Sequence, residues 1–227
     1  MSLQTIELSP EGEPTACIVM FHGLGADGTD FLPLADELDL SAVGPVRWLL
    51  PRAPVRPVTL NNGYRMRAWY DILGRELEAK GLAREDEAGL RKSFALVHEL
   101  VDRELARGMR AKRIVLAGFS QGCALALGAG LRYPQRLAGL AGLSGYLPLA
   151  DSTAAERHAA NASVPIFLAH GTRDAVVPHG RGAASRDALA TLGYRPEWHE
   201  YPMEHSVSRE EMVDLERWLL TVLRSPG

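Results

Sequence analysis

The sequence has only two cysteines, Cys17 and Cys123, and each lies in an apolar stretch that is expected to be buried. Two isolated thiols do not form a disulfide framework, which argues against a disulfide-stabilised secreted protein and favours a cytoplasmic location. A single structural disulfide between them is the alternative. Apolar surroundings raise the pKa of a thiol. We therefore expect neither cysteine to act as a catalytic nucleophile.

The chain also lacks a long apolar segment and an excess of basic residues. No run approaches the roughly 20 apolar residues that a membrane-spanning helix needs, and no apolar signal segment is visible near the N-terminus. The net charge is −3, and no basic stretch has interleaved aromatic residues. We therefore expect no integral membrane segment and no nucleic-acid partner.

Residue spacings that are typical of metal sites are absent as well. The sequence contains no His-Glu-x-x-His motif and no closely spaced cysteine pair, and its seven histidines are scattered along the chain. We therefore expect no metal site and no cofactor.

What the sequence does contain is a regular alternation of strand and helix patterns. The 227 residues are 46% hydrophobic and 23% charged, which is typical of a globular protein. Apolar runs predict strands, and apolar residues at helical spacing predict helices. The predicted strands cover 3–8, 16–21, 47–50, 112–117, 137–143, 164–171 and 197–201, and the predicted helices cover 85–107, 123–129, 179–192 and 209–223.

This alternation predicts an α/β fold with a mainly parallel sheet flanked by helices. No linker, repeat or low-complexity segment interrupts it, so we expect a single domain over residues 1–227 without a separate cap domain. One region, residues 58–74, departs from the pattern. Its Asn-Asn-Gly sequence at 61–63 is typical of a hairpin turn and predicts a β-ribbon near the functional site.

The most informative motif is Gly-Phe-Ser-Gln-Gly at 118–122, directly after the predicted strand 112–117. A strand, Gly-x-Ser-x-Gly and a helix in succession form the nucleophile elbow of α/β-hydrolases. Strand and helix backbones pass close together at such an elbow, which requires small residues like Gly118 and Gly122. The motif predicts Ser120 as a nucleophile.

Ser144 is the alternative nucleophile, because it also follows a predicted buried strand. It lacks the second glycine at the required offset, and no strongly helical segment follows it at once. We expect Ser144 to be structural or to line a pocket.

A serine hydroxyl needs a base within hydrogen-bond reach, and that base needs an orienting carboxylate. In the α/β-hydrolase order the acid and then the histidine follow the serine, each on a loop after a strand. Asp174 and His205 meet this expectation, although each has an alternative role as a structural or capping residue. The other histidines precede the elbow, lie within predicted elements or stand upstream of a plausible acid: His22, His98, His158, His170, His179 and His199.

Acyl transfer also needs N–H donors aimed at the developing oxyanion. One is expected from Gln121, at the start of the helix after the nucleophile, and the second from Leu24, in the glycine-rich loop after strand 16–21. The glycines of this loop also match Gly-x-Gly-x-x-Gly, which is found in nucleotide-binding loops. Two observations argue against a nucleotide. Residues 29–31 contain the acidic Asp30 and no clean helix start, and no acidic ribose ligand ends strand 47–50.

Together these motifs resemble the carboxylesterase and acyl-protein thioesterase (phospholipase/carboxylesterase) family of small α/β-hydrolases. The matching segments are 21–25, 69–71, 118–122, 143–148, 170–174 and His205, in the family's order. The resemblance implies a cap-less α/β-hydrolase fold. It also implies a catalytic triad of Ser120, Asp174 and His205, and an oxyanion hole formed by Leu24 and Gln121. One departure is the pair of residues between Gly171 and Asp174, which is not expected to move the acid.

The resemblance further implies an acyl pocket, although the two aromatic residues in it are equally compatible with an ordinary core role. Its implied lining residues are Leu24, Trp69, Tyr70, Leu73, Val176 and Val177.

The expected function is that of a serine carboxylesterase acting on small-molecule esters of short to medium acyl chain. An acyl-protein thioesterase or a lysophospholipase with the same triad is the alternative, with an acylated protein or a lysophospholipid as substrate. A third hypothesis is a non-catalytic binding protein of the same fold. The presence of all the triad and oxyanion-hole residues argues against it. Family members are often dimers, so a homodimer is an open alternative.

Overall fold

The computed structural model describes residues 3–74 and 85–224. Seven strands form the central sheet in the order β1-β3-β2-β6-β7-β8-β9, and two further strands, β4 and β5, form a separate ribbon. The strands are β1 (Thr5–Leu8), β2 (Ala16–Phe21), β3 (Val46–Pro51), β4 (Val55–Val58), β5 (Tyr64–Arg67), β6 (Ile114–Phe119), β7 (Gly139–Leu143), β8 (Ile166–Gly171) and β9 (Glu197–Tyr201).

The central sheet is parallel except at one edge. β1 pairs antiparallel with β3, whereas the pairs from β3 through to β9 are parallel. Parallel strands bring their carboxyl ends to one edge of the sheet, so the loops after β2, β6, β8 and β9 lie near one another. These four loops carry the predicted oxyanion residue, nucleophile, acid and base, in that order.

Helices cover both faces of the sheet. They are α1 (Leu32–Glu37), α2 (Glu87–Ala106), α3 (Gln121–Arg132), α4 (Ala150–Glu156), α5 (His179–Thr191) and α6 (Arg209–Arg224). On one face, α2, α3 and α5 bury apolar residues such as Phe94, Leu125 and Leu189. On the other, α1 and α6 bury Leu34 and Trp218. This is the predicted α/β architecture.

Most predicted elements are present, with ends shifted by at most a few residues. The strands predicted at 16–21 and 197–201 have those bounds. Two short helices, α1 and α4, were missed. No helix start is predicted at 29–31, but a single 3₁₀ turn there leads directly into α1. A helix of six residues is too short for a helical period to show in the sequence.

The predicted β-ribbon is present, but it begins earlier and ends earlier than expected. β4 and β5 pair antiparallel between Val55 and Arg67, and the turn contains Asn62 and Gly63 at φ 53° and 76°. Positive φ at both residues explains why the turn uses asparagine and glycine. Residues 68–74, predicted to be part of the ribbon, lie beyond it.

Both cysteines are free and buried, as the sequence predicts. Burial raises the pKa of the Cys123 thiol to about 12 and also raises that of Cys17. Both thiols therefore remain protonated at neutral pH. Among the described residues, no helix is long and apolar enough to cross a bilayer.

Candidate active site

Ser120 lies at the tip of a sharp turn between β6 and α3. Its backbone has φ 56° and ψ −117°, a strained conformation for a residue other than glycine. The turn is held on both sides, since the Ser120 N–H donates to the Leu143 carbonyl at 2.9 Å and its carbonyl accepts from the Cys123 N–H at 3.0 Å. This is the nucleophile-elbow geometry that the sequence predicts.

The two glycines of the elbow are required by the close approach of three backbone segments. A Cβ atom added at Gly118 would lie 2.1 Å from the carbonyl oxygen of Gly122. A Cβ atom at Gly122 would lie 2.0 Å from the carbonyl oxygen of Phe21, at the end of β2. Neither position therefore accepts a side chain without moving the strand or the helix.

Asp174 and His205 are joined by a hydrogen bond. The Nδ1 atom of His205 lies 2.7 Å from Oδ2 of the buried Asp174. The other carboxylate oxygen, Oδ1, accepts the N–H groups of Val176 and Val177 at 2.8 and 2.9 Å. The carboxylate orientation is thus fixed by its own loop. When the neutral ring donates its Nδ1 proton to the acid, its Nε2 atom is the one that can accept a proton.

The loops that carry the acid and the base are held together through their backbones. The N–H of Thr172 donates to the Tyr201 carbonyl at 2.8 Å, and the N–H of Arg173 donates to the Met203 carbonyl at 3.0 Å. Both contacts come from backbone N–H groups, and Thr172 Oγ1 adds a bond to the Tyr201 carbonyl at 3.2 Å. The departure from the family pattern between Gly171 and Asp174 therefore leaves the acid in hydrogen-bond contact with His205.

His205 also lies beside the elbow. Its ring centroid is 4.7 Å from that of Phe119, the residue before Ser120. Ser120 Oγ forms no hydrogen bond with any described residue, which leaves the hydroxyl available to a partner. In serine hydrolases without substrate the serine-to-histidine contact is often loose and tightens in the complex.

The two predicted oxyanion donors have unused N–H groups. Neither the Leu24 nor the Gln121 N–H donates to an acceptor among the described residues. Gln121 is the first residue of α3, where the helix dipole favours negative charge. The Leu24 loop lies against the nucleophile, because a Cβ atom on Gly23 would be 3.4 Å from Ser120 Cβ.

The side chain of Gln121 has a second use that the sequence does not reveal. Its Oε1 accepts the N–H of Trp69 at 2.9 Å, and its Nε2 donates to the carbonyl of Tyr70 at 2.8 Å. These bonds tie the segment that follows the ribbon to the start of α3.

Trp69 is packed as a core residue. It is fully buried, its ring contacts that of Phe21 edge-on at 5.6 Å, and its Nε1 donates to the His22 carbonyl at 2.9 Å. Its own carbonyl accepts from Ser93 Oγ. These contacts account for a large aromatic residue at this position. Its predicted contact with an acyl chain stays a prediction.

Tyr70 is buried as well, and its hydroxyl reaches across to the loop after β7. The Tyr70 and Tyr146 hydroxyl oxygens are 2.7 Å apart. Burial raises the pKa of Tyr70 well above its usual value, so the phenol stays protonated. Of the other predicted pocket residues, Val176 is 60% exposed, Val177 is buried, and Leu24 and Leu73 are half-buried.

A cavity of about 600 Å³ lies between the start of α2, the loop after β7 and α5. Its lining includes Glu85, Tyr146, Leu149 and Arg181. None of the triad or the predicted acyl-pocket residues lines it. Its lining is mixed, since apolar side chains such as Leu147 and Leu149 lie beside the charged Glu85 and Arg181.

Two histidines without a predicted catalytic role contact the candidate site. Nε2 of the buried His170 is 2.9 Å from the Val177 carbonyl and 3.4 Å from Asp174 Oδ2. Burial lowers the pKa of this imidazole. Nδ1 of His22 is 2.6 Å from the Gly23 carbonyl oxygen. Each of these histidines precedes a glycine at the end of a buried strand. This His-Gly pair is the sequence signal that could have identified both residues.

Ser144 also has a left-handed backbone, with φ 46°, but its side chain is fully buried. Its N–H donates to the Ala169 carbonyl at 2.8 Å. Its hydroxyl has no hydrogen-bond partner among the described residues. The next helix, α4, begins only at Ala150. Ser144 therefore lacks both the access and the helix N-terminus that Ser120 has.

A family model described as "Phospholipase/Carboxylesterase" matches residues 4–223. The chain belongs to the phospholipase/carboxylesterase family. This family member is 38% identical to acyl-protein thioesterase 1 of Schizosaccharomyces pombe over 227 residues, which cover 99% of this chain and 98% of the relative. It is also 36% identical to carboxylesterase SOBER1 of Arabidopsis thaliana over 203 residues, covering 89% and 88% of the two chains.

Solved structures show the same relationship. The crystal structure of Arabidopsis thaliana SOBER1 superposes with a TM-score of 0.85 at 34% identity, covering 92% of this chain and 99% of the other. Zea mays acyl-protein thioesterase 2 gives a TM-score of 0.81 at 32% identity, covering 97% and 99%. The α/β-hydrolase fold is thereby confirmed, and this family member is a hydrolase of ester or thioester bonds.

Proposed function

We propose that the protein is a serine carboxylesterase that hydrolyses short- to medium-chain carboxylic esters through an acyl-enzyme. The observation that carries the proposal is the 2.7 Å contact between His205 Nδ1 and Asp174 Oδ2 beside a strained elbow at Ser120. With the Nδ1 proton directed to Asp174, the Nε2 atom of His205 is the one that takes the serine proton.

In acylation, Ser120 Oγ attacks the ester carbonyl carbon while His205 Nε2 accepts its proton. The carbonyl oxygen becomes an oxyanion, which the N–H groups of Leu24 and Gln121 stabilise. His205 then donates its proton to the leaving alkoxide as the C–O bond breaks. An acyl-Ser120 ester and a free alcohol result.

In deacylation, His205 removes a proton from a water molecule that attacks the acyl carbon. The same two N–H groups stabilise the second oxyanion. The proton returns from His205 to Ser120 Oγ as the carboxylic acid leaves. Asp174 stays ionised throughout and stabilises the imidazolium that forms in each half-reaction. The reaction uses no metal ion or cofactor.

Short and medium chains are proposed because no domain among the described residues covers the elbow. The half-buried Leu24, beside Gly23 on the nucleophile, and the exposed Val176, whose N–H binds Asp174, offer an open apolar surface near the site. The same role for the half-buried Leu73 is part of the proposal. Such a surface removes less of an acyl chain from water than an enclosed tunnel does.

Thioester hydrolysis is the second candidate function. It is favoured by the 38% identity, over 99% of this chain, to a relative named acyl-protein thioesterase 1. The substrate would be an acylated protein, or a lysophospholipid if the enzyme is a lysophospholipase. The triad serves all three, because each reaction passes through an acyl-serine.

A substrate series tests the proposal and ranks the candidates. We expect p-nitrophenyl esters of two to eight carbons to give a higher kcat/KM than longer esters and than acyl thioesters of matched length. A higher kcat/KM for long-chain thioesters would favour the second function. Ser120→Ala abolishes turnover of every substrate, whereas the matched control Ser144→Ala retains it. Full turnover by a folded Ser120→Ala protein would contradict the mechanism.

We also propose a cytoplasmic location, which the free thiols of Cys17 and Cys123 support.

The homodimer implied by the family resemblance is tested by size-exclusion chromatography with light scattering. A molecular mass near twice 24.7 kDa is the expected result for a dimer.

A further inference from the structure

We propose that His22 is a positioning residue for the oxyanion hole, since its imidazole holds the peptide bond between Gly23 and Leu24 in one orientation. The inference rests on the proposed function, in which the Leu24 N–H stabilises the oxyanion. It adds a residue that neither touches the substrate nor belongs to the triad.

The hydrogen bonds of His22 determine its tautomer. Nε2 lies 3.0 Å from the backbone N–H of Ala53, which can only donate. Nε2 therefore accepts and carries no proton, so the proton of the neutral ring is on Nδ1. Nδ1–H then donates to the Gly23 carbonyl at 2.6 Å. Burial lowers the pKa of His22, which keeps the ring neutral.

This bond determines where the Leu24 N–H points. In a trans peptide the carbonyl and the N–H point in opposite directions. Once His22 holds the Gly23 carbonyl on one side, the N–H of Leu24 must face the other side. Gly23 packs against Ser120, with its Cβ position 3.4 Å from Ser120 Cβ, so that N–H is presented near the nucleophile.

The loop needs such a contact because its own sequence leaves the peptide free to rotate. Gly23 and Gly25 flank Leu24, and Gly25 has φ 80°. Glycine has wide backbone freedom, so a loop of this composition has several accessible orientations. The Gly25 N–H donates to the Arg67 carbonyl at 2.9 Å and holds the far end. At the near end the Gly23 carbonyl accepts two N–H groups, a long contact from Ala26 at 3.4 Å and the short bond from His22 at 2.6 Å. The shorter bond is the one that we assign the positioning role.

The imidazole is itself held in a rigid frame. His22 is fully buried at the end of β2. Its ring lies 5.2 Å from that of Trp69, whose Nε1 donates to the His22 carbonyl. Ala53, which donates to Nε2, has its carbonyl bound by Arg67 Nη1 at 2.9 Å. The position of Nδ1 is therefore set by the core and not by the loop that it orients.

Two variants separate positioning from packing. In His22→Asn the side-chain amide nitrogen takes the place of Nδ1 and keeps the donor to the Gly23 carbonyl. In His22→Gln the side-chain oxygen takes the place of Nε2 and keeps the acceptor for Ala53, but the donor is lost. Each variant loses one buried hydrogen bond, so a purely structural role predicts similar kinetics and similar unfolding temperatures for the two.

We expect His22→Gln to lower kcat by about 10- to 100-fold, somewhat less than the 10²- to 10³-fold typical for deletion of an oxyanion donor. KM should change by less than about threefold, because the oxyanion contact acts in the transition state. His22→Asn should keep most of the wild-type kcat. Equal losses in the two variants, or a larger loss in His22→Asn, would overturn the inference.

A measurement on the wild-type protein covers the case in which neither variant folds. Nitrogen-15 NMR of the histidine side chains reports which ring nitrogen is protonated. We expect His22 to show a protonated Nδ1 and an unprotonated Nε2, and the opposite tautomer would overturn the inference. The proposed function fails separately, through retained turnover in Ser120→Ala, whatever the His22 variants do.

Discussion

Replacing Asp174 by Asn changes only one atom of the carboxylate but reverses the proton arrangement of the candidate triad. The two N–H groups of Val176 and Val177 bind Oδ1 at 2.8 and 2.9 Å, so an asparagine must place its oxygen there. Its NH₂ group then faces Nδ1 of His205, 2.7 Å away in the wild-type protein. Two N–H groups cannot share that contact, so Nδ1 must become the acceptor and the imidazole proton moves to Nε2.

A protonated Nε2 cannot accept the Ser120 proton, so acylation loses its general base. The same substitution in a serine protease triad lowers kcat about 10⁴-fold. We expect a loss of 10³- to 10⁴-fold here, which corresponds to roughly 4 to 5.5 kcal/mol in the activation free energy. The loss should fall on kcat, because Asp174 contributes little to binding an uncharged ester.

Steady-state hydrolysis of a p-nitrophenyl ester, with thermal unfolding as a check on folding, measures this effect. Asp187→Asn is the matched control, because Asp187 is an exposed aspartate on α5 paired with Arg186. That variant should keep wild-type kcat. A folded Asp174→Asn protein with a loss below tenfold would refute the argument that Asp174 sets the tautomer of His205.

Two further predictions concern stability. Gly122→Ala should destabilise the protein by at least about 1 to 3 kcal/mol, because its Cβ atom would lie 2.0 Å from the Phe21 carbonyl oxygen; an unchanged urea midpoint would contradict this. Glu211 is fully buried, neither carboxylate oxygen has a partner among the described residues, and burial raises its pKa to about 8. Its protonated form is favoured in the folded state, so its contribution to stability is complete below the unfolded-state pKa and is lost as pH rises to about 8. Glu211→Gln should therefore raise the unfolding temperature relative to wild type more at pH 8 than at pH 5, and a pH-independent difference would contradict the assignment.

Local sequence was sufficient to predict the elbow and the main strands. A strand buried on both faces reads as a continuous apolar run, as residues 16–21 do, and such a run is recognisable without a partner. The elbow needs two glycines at fixed offsets from Ser120, and their spacing is visible in the sequence. The prediction of acid and base used chain order and the position of each residue on a loop after a predicted strand. Their 2.7 Å contact follows because β8 and β9 are neighbours.

What could not be predicted depends on contacts between distant segments. The partner of His22 Nε2 is the Ala53 N–H, 31 residues away. Nothing near His22 in the sequence indicates that this donor exists. Trp69 was placed in a ribbon, but bonds to Gln121 and His22 draw it into the core. In each case the position is set by tertiary hydrogen bonds that leave no local pattern.

Short helices were missed for a different reason. α4 spans only Ala150–Glu156, and it is held by Arg132, which bonds Glu156 at 2.8 Å. Its stability comes from packing against α3 and not from a helical period of its own. The apolar periodicity that reveals α2 or α6 extends over more residues than α4 contains. The sequence of α4 therefore shows no such periodicity.

The central claim is that Ser120 is the nucleophile, and covalent labelling tests it most directly. The protein is treated with a fluorophosphonate and digested, and the modified peptide is identified by mass spectrometry. The account predicts one phosphonylated residue, Ser120, with labelling lost in Ser120→Ala and strongly slowed in His205→Ala. Modification at Ser144, or no modification of the folded protein, would contradict it.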